Sequence, residues 1–317
     1  MSRLKFAIAA ALGMVLFALV APRAFSQQDR PIKIVITFPA GSGGDVLTRA
    51  MADEITKVHG TRFTYENTDQ IRGSEAVAHA PPDGGTLLVI NNSFTVNTQL
   101  QKPPYDPLTS FAPICNLASG PLLLIAAADG PYRSLASLVA TAREKPGQLR
   151  IAGTPLGPPQ ITAELLKRNA MVDMKFVSAT TPDALEALAS GGAASAVQLY
   201  LNVLPQLRAN QVRALAITSA DRKQVLPDVP TLAESGFPGF EVEYWDGIFA
   251  PAGTPRATVA QLAEWFGAAA RVPAVKEKLD AQTYEPVGDC GATFVNFIRK
   301  EIGEWGRIAR EAGIEQK

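Results

Sequence analysis

The residues best able to do chemistry stand together as Gly41-Ser42-Gly43-Gly44-Asp45. Glycine lets backbone approach a bound group closely, and the open amides of a following helix attract anions. Asp45 suits the N-cap or first helical turn, where a carboxylate accepts exposed N–H groups. A phosphate loop would need G-x-x-x-x-G-K-[ST], and no lysine follows here. A dinucleotide fingerprint would need G-x-G-x-x-G, but Val46 holds the third glycine position. Two readings are left: a tight turn without a ligand, and a site for a small anion. Phe38 and Ala40 flank the turn and complete this candidate contact set.

Catalytic groups are sparse. Of the two histidines, His59 precedes Gly60 at a helix end and His79 precedes Ala80-Pro81. Neither lies near a G-x-S-x-G, H-E-x-x-H or paired-cysteine motif. Asp45 and Glu164 could serve acid–base work but read better as a helix-start acid and an exposed acid. The reading is a binding protein rather than an enzyme, with no cofactor and no metal.

The elements that position the glycine turn are legible around it. Ile32, Ile34, Val35, Ile36 and Phe38 form an apolar run of strand type, and Val46, Leu47, Ala50, Met51 and Ile55 follow helical spacing. Thr86–Ile90 is a second buried strand, closed by Asn91-Asn92-Ser93. Polar residues at the carboxyl end of a parallel strand are where open α/β sheets bind ligands, so Asn92 and Ser93 join the candidates. Their alternative is plain turn chemistry. The pattern recurs at Leu149–Ala152, a strand, followed by a turn from Gly153 through Thr154 to Gln160 and a helix over Ile161–Arg168. Further strands are expected at Phe63–Glu66, Leu122–Ala128, Lys175–Val177, Ala196–Leu199, Val212–Thr218 and Val242–Phe249. Trp245 is read as packing rather than as lining the cleft. Phe294–Ala309 is amphipathic.

The chain has 317 residues, 47% hydrophobic and 19% charged, which fits a globular protein of about two domains. Cations and acids balance at 30 each, and no basic stripe points to nucleic acid. Arg3 and Lys5, the apolar run Phe6–Val20 and Ala24-Phe25-Ser26 have the anatomy of a cleaved export signal, residues 1–26, with Gln27 as the mature start; the alternative is an uncleaved anchor, for which the run is short and is followed by Pro22-Arg23. Removing Arg3, Lys5 and Arg23 leaves 27 cations against 30 acids, a charge of −3. Cys115 and Cys290 are read as two small buried residues, although an exported chain permits a disulfide.

Three blocks in order, FPAGSGGDVLTRAMA from Phe38, APPDGGTLLVINNS from Ala80 and YWDGIFAPAGTP from Tyr244, resemble the Bug/TctC family. Its members are extracytoplasmic solute-binding proteins of tripartite tricarboxylate transporters. The resemblance implies an α/β, two-domain periplasmic-binding-protein fold (type II, Venus-flytrap) with a hinged interdomain cleft. The expected division is 27–128 with 245–317 as one domain and 129–244 as the other. It implies a periplasmic monomer that binds a small organic anion and serves separately encoded membrane transporter subunits. The alternatives are a receptor that presents its ligand to a sensor and an enzyme on the same scaffold.

Departures from the family pattern bear on the ligand. Only Gly73 survives of a glycine-rich turn before Ser74. In the second turn, Gly157 falls where the family has a serine and Gln160 where it has a histidine. Pro158 and Pro159 remove donors, which leaves Gly153, Thr154 and Gln160 as the candidates there. Ser178-Ala179-Thr180-Thr181 replaces an aromatic segment and adds Ser178 and Ala179. Tyr200 closes the following strand as the last candidate. A second strongly held carboxylate would lack donors, so the expected ligand is monoanionic or otherwise weakly charged, its carboxylate on the amides of Gly41 to Gly44.

Overall fold

The computed structural model describes residues 30–311 apart from 101, 156 and 281–283; the expected export signal lies outside the described residues. The first lobe is built on strands β1 (Ile32–Ile36), β2 (Phe63–Asn67) and β3 (Thr86–Asn91), with β2 and β3 parallel to β1 on either side. Between them run helices α1 (Gly43–His59) and α2 (Gln70–Ala78), and α3 (Ser93–Leu100) follows β3. Period-2 alternation separates the two faces of this sheet. Ile34, Ile36, Leu87 and Val89 enter one buried cluster, while Val35, Leu88 and Ile90 enter another on the opposite face. Full burial of each such side chain stabilises by roughly 1.5–3 kcal/mol.

The second lobe repeats the arrangement. Strand β5 (Arg150–Gly153) runs parallel to β6 (Lys175–Ser178) and β7 (Ser195–Leu199), with α4 (Leu135–Glu144) ahead of it. Helices α5 (Pro158–Ala170), α6 (Thr181–Ala189) and α7 (Tyr200–Arg208) follow the strands in turn. Helix α7 starts at Tyr200, directly after β7, and α3 is a helix that the periodicity did not announce.

The lobes share one long strand. Strand β4 (Phe111–Ala127) begins well before the expected Leu122. Its residues 111–121 pair with β9 (Glu243–Pro251), and 122–127 pair with β7 and with β8 (Val212–Ile217). Thr218 ties the two crossing segments together: its Oγ1 accepts from the Leu122 amide at 3.0 Å and donates to the Val242 carbonyl at 2.5 Å. Helices α8 (Arg256–Ala270), α9 (Pro273–Asp280) and α10 (Ala292–Glu311) finish the chain, with β10 (Glu285–Cys290) on the edge of β4. Phe294 and Ile298 of α10 join a first-lobe cluster, and Trp305 and Ile308 join a cluster of the second.

One expectation is corrected. Cys115 and Cys290 form a disulfide. The antiparallel register of β10 on β4 sets Cys290 opposite Cys115, a contact between residues 175 apart that spacing alone does not reveal. Trp245 is buried, and its Nε1–H donates to Glu301 Oε2 at 2.9 Å.

Candidate functional site

Parallel pairing puts the carboxyl ends of β1 and β3 side by side, and with them the glycine turn and Asn91-Asn92-Ser93. The carboxyl ends of β5, β6 and β7 gather the second set: Gly153 to Gln160, Ser178-Ala179 and Tyr200. The two sets face each other across the cleft. A Cβ built on Gly157 would stand 3.3 Å from Ser93 Oγ. Leu199 and Leu201 pack against the first-lobe cluster that holds Phe38 and Tyr244.

The glycine turn is stiffened from within. Gly41 adopts φ +80°, a conformation glycine takes without strain. Ser42 caps α1 with extended backbone, and its amide donates to the Pro39 carbonyl at 3.1 Å. Asp45, in the first turn, accepts the Gly41 amide at 2.9 Å, Arg49 Nε at 3.0 Å and Asn67 Nδ2 at 3.0 Å. Burial alone would raise the Asp45 carboxyl, but these donors together hold it below the ordinary carboxylate range. The Arg49 guanidinium also lies 4.2 Å from the Tyr65 ring centroid. Asp45 thus works as an internal brace. Two of the four amides expected to grip a ligand, Gly41 and Ser42, are already engaged.

Helix geometry leaves the amides of Gly43 and Gly44 without intrahelical acceptors. Gly43 is half-buried, Gly44 buried and Ala40 exposed. Phe38 lies under the turn: a Cβ on Gly44 would come within 2.5 Å of its ring. The corresponding position in the second lobe is different in kind. Gly157 precedes α5 with extended backbone, and Pro158 and Pro159 occupy its first two positions. Proline has no N–H, so the amide pair that α1 offers is deleted in α5.

Other candidates are placed as follows. Asn92 is fully buried, and its Nδ2 donates to the Glu243 carbonyl at 2.9 Å, joining β3 to β9. Ser93 is half-exposed and its amide donates to Asn91 Oδ1 at 2.9 Å. Gly153 is buried, Thr154 exposed, Gln160 half-buried and Ser178 exposed. Ala179 and Tyr200 enter the second-lobe core, and burial pushes the Tyr200 hydroxyl up.

Four residues outside the candidate set complete the first-lobe side. Gln70 Nε2 donates to Asn91 Oδ1 at 3.1 Å, and Asn91 Nδ2 donates to the Tyr244 hydroxyl at 3.1 Å. Asp246 sits opposite Asn91 in the β3–β9 register, fully buried, its Oδ2 3.0 Å from where a Gly44 Cβ would stand. Neither carboxylate oxygen has a hydrogen-bond partner. The Tyr244 hydroxyl lies close enough to favour the ionised form but does not reach hydrogen-bond geometry with either oxygen. Burial dominates and pushes the Asp246 carboxyl up to about 7. The signal for Asp246 in the sequence was only a polar residue inside the strand expected over Val242–Phe249.

Two cavities lie away from these loops. One, of about 430 Å³, is on the other face of β9, lined by Trp245, Trp305, Glu301 and Leu165. Another, of about 650 Å³, is at the far end of the second lobe, near Asp129 and Gly191. No group of three or more His, Cys, Asp or Glu among the described residues is placed to hold a metal, and none of their helices is long and apolar enough to cross a membrane.

Comparison with known proteins gives the arrangement relatives. The family model described as "Tripartite tricarboxylate transporter family receptor" (TctC) matches residues 47–314. A Pseudomonas protein encoded in the tcbD-tcbE intergenic region is 32% identical, covering 95% of this chain and 92% of that one. The protein BugT of Bordetella pertussis is 30% identical, covering 91% of each. Among solved structures, a Rhodopseudomonas palustris protein with adipate is 30% identical with a TM-score of 0.79, covering 91% of this chain and 99% of that one. The malate-bound MatC of the same organism is 30% identical with a TM-score of 0.73, covering 88% and 98%.

Proposed function

The chain belongs to the tripartite tricarboxylate transporter receptor family, and from that membership we propose that it captures a small organic carboxylate in the periplasm for delivery to separately encoded membrane subunits. Solved relatives are described as a periplasmic binding protein and a periplasmic transporter, and two others hold malate and adipate. The fold has the matching form: two lobes, joined through β4 and β9, with their strand ends facing one another.

The observation that carries the reading is the unequal pair of helix starts. Helix α1 opens on two glycines whose amides are unspent, and α5 opens on two prolines that have none. A ligand carboxylate is therefore held by Gly43 and Gly44, with Ser42 and Ser93 beside it. The second lobe supplies Thr154, Gln160 and Ser178 as neutral contacts. A solute with strongly charged groups at both ends would leave one charge buried and unpaired, which is costly. The ligand is monoanionic or weakly charged overall. Closure turns on the Thr218 clasp, and we place the change of lobe within β4 near Pro121, earlier than the expected boundary after residue 128.

A thermal-shift screen of mono-, di- and tricarboxylates on the purified mature chain tests this. A ligand at a hundredfold excess over its Kd stabilises by about 2.7 kcal/mol, a shift of several degrees. The reading predicts the largest shift from a weakly charged carboxylate. Citrate giving the largest shift contradicts the ligand class, and a flat screen contradicts carboxylate capture.

A further inference from the structure

Several buried polar atoms at the start of α1 and at the strand ends beside it lack partners: Ser42 Oγ, Asn92 Oδ1 and both oxygens of Asp246. All but the serine hydroxyl can only accept. Buried polar atoms in native structures are nearly always satisfied, so an orphaned cluster calls for a missing partner. The partner this cluster needs is a donor.

Asp246 makes the strongest demand. It is fully buried, and the groups acting on its ionisation are burial and the Tyr244 hydroxyl, with no lysine or arginine among them. Its Oδ2 stands against the first turn of α1, 3.0 Å from where a Gly44 Cβ would be. A ligand carboxylate on the Gly43 and Gly44 amides would therefore lie near a second carboxylate. Two like charges in a dry site repel strongly, and a hydroxyl between them would donate without neutralising either. A protonated amino group would do both.

We propose that Asp246 is a specificity-determining ligand contact, taking the ammonium group of a solute whose carboxylate sits on the α1 amides, so that this receptor selects amino carboxylates over plain carboxylates. The proposal rests on the carboxylate-capture reading and narrows it: such a ligand is zwitterionic or carries one net negative charge. Gly44 is part of the device, because a side chain there would press on both the Phe38 ring and Asp246 Oδ2.

Calorimetry at pH 8 on the mature chain, with probes matched in carbon skeleton, tests it: butyrate against 2-aminobutyrate and 4-aminobutyrate, and glutarate against glutamate. In at least one pair the amino member is expected to bind tenfold or more tightly than its plain partner. Asp246→Asn, nearly isosteric, is expected to abolish that preference while plain carboxylates bind as well or better. Equal binding of amino and plain members by the unsubstituted protein overturns the role of Asp246 and leaves carboxylate capture standing. So does a preference that survives in Asp246→Asn. Binding by neither class overturns both. The comparison within the unsubstituted protein needs no variant, so a misfolded Asp246→Asn does not shield the proposal.

Discussion

Gly44 and Asp246 are 202 positions apart in sequence, yet a single Cβ on Gly44 would come within 3.0 Å of Asp246 Oδ2. The same atom would stand 2.5 Å from Phe38 Cε2, and Phe38 is itself buried. Alanine normally favours a helix over glycine by about 1 kcal/mol. Here overpacking, which typically costs about 1–3 kcal/mol, outweighs that gain. Gly44→Ala is expected to lower the denaturation midpoint, and a stability equal to or above that of the unsubstituted protein would show that the space under α1 is loose.

Glu301 predicts a pH dependence. Its Oε2 accepts both the Trp245 and Trp305 indole N–H groups, at 2.9 and 2.8 Å. Burial pushes its carboxyl up to about 7 from 4.5, against the pull of the two indoles and of Lys300, while Glu304 adds to the rise. The folded chain thus holds a proton that the unfolded chain releases. Stability from this group is full below about 4.5 and is lost as pH rises toward 7. Denaturant midpoints across that window should fall less steeply with pH in Glu301→Gln, whose amide oxygen can still accept both indoles. Asp246 titrates in the same direction, so a residual slope is expected. Identical slopes in the two proteins would remove Glu301 as a source.

The Cys115–Cys290 bridge fastens β10 to β4 in the first lobe. Closing a loop of 175 residues constrains the unfolded chain, and loss of such a native disulfide typically costs about 2–5 kcal/mol. Reduction, or replacement of both cysteines by alanine, should lower the unfolding midpoint by that order with carboxylate affinity kept. Unchanged stability would mean that β10 docks equally well without the bond.

What could be read from the sequence is what is local. The strand into β1, the glycine turn and the periodicity of α1 lie within thirty residues, so their chemistry was visible before the fold. So was the loss of donors at Pro158 and Pro159, which follows from proline having no N–H. What stayed hidden depends on register. Asp246 reads as one polar residue in an apolar strand until β9 pairs with β3 and sets it opposite Asn91 and beneath Gly44. The disulfide hid for the same reason. The engagement of the Gly41 amide hid differently: Asp45 is only four residues on, but its carboxylate is held in place by Arg49 and Asn67 as well.

The central claim is that the first-turn amides of α1 hold the ligand's carboxylate, and Gly43→Pro tests it most directly. Proline is well suited to the first helical position, and Ser42 before it is already extended at ψ 165°, as a residue preceding proline prefers. The substitution removes one N–H and should leave the fold intact. Calorimetry with the best ligand from the carboxylate screen should show affinity reduced tenfold or more in Gly43→Pro, with the unliganded unfolding midpoint kept within about a degree or two. Undiminished affinity in a folded Gly43→Pro protein would contradict the account, because the carboxylate would then be held somewhere other than the start of α1.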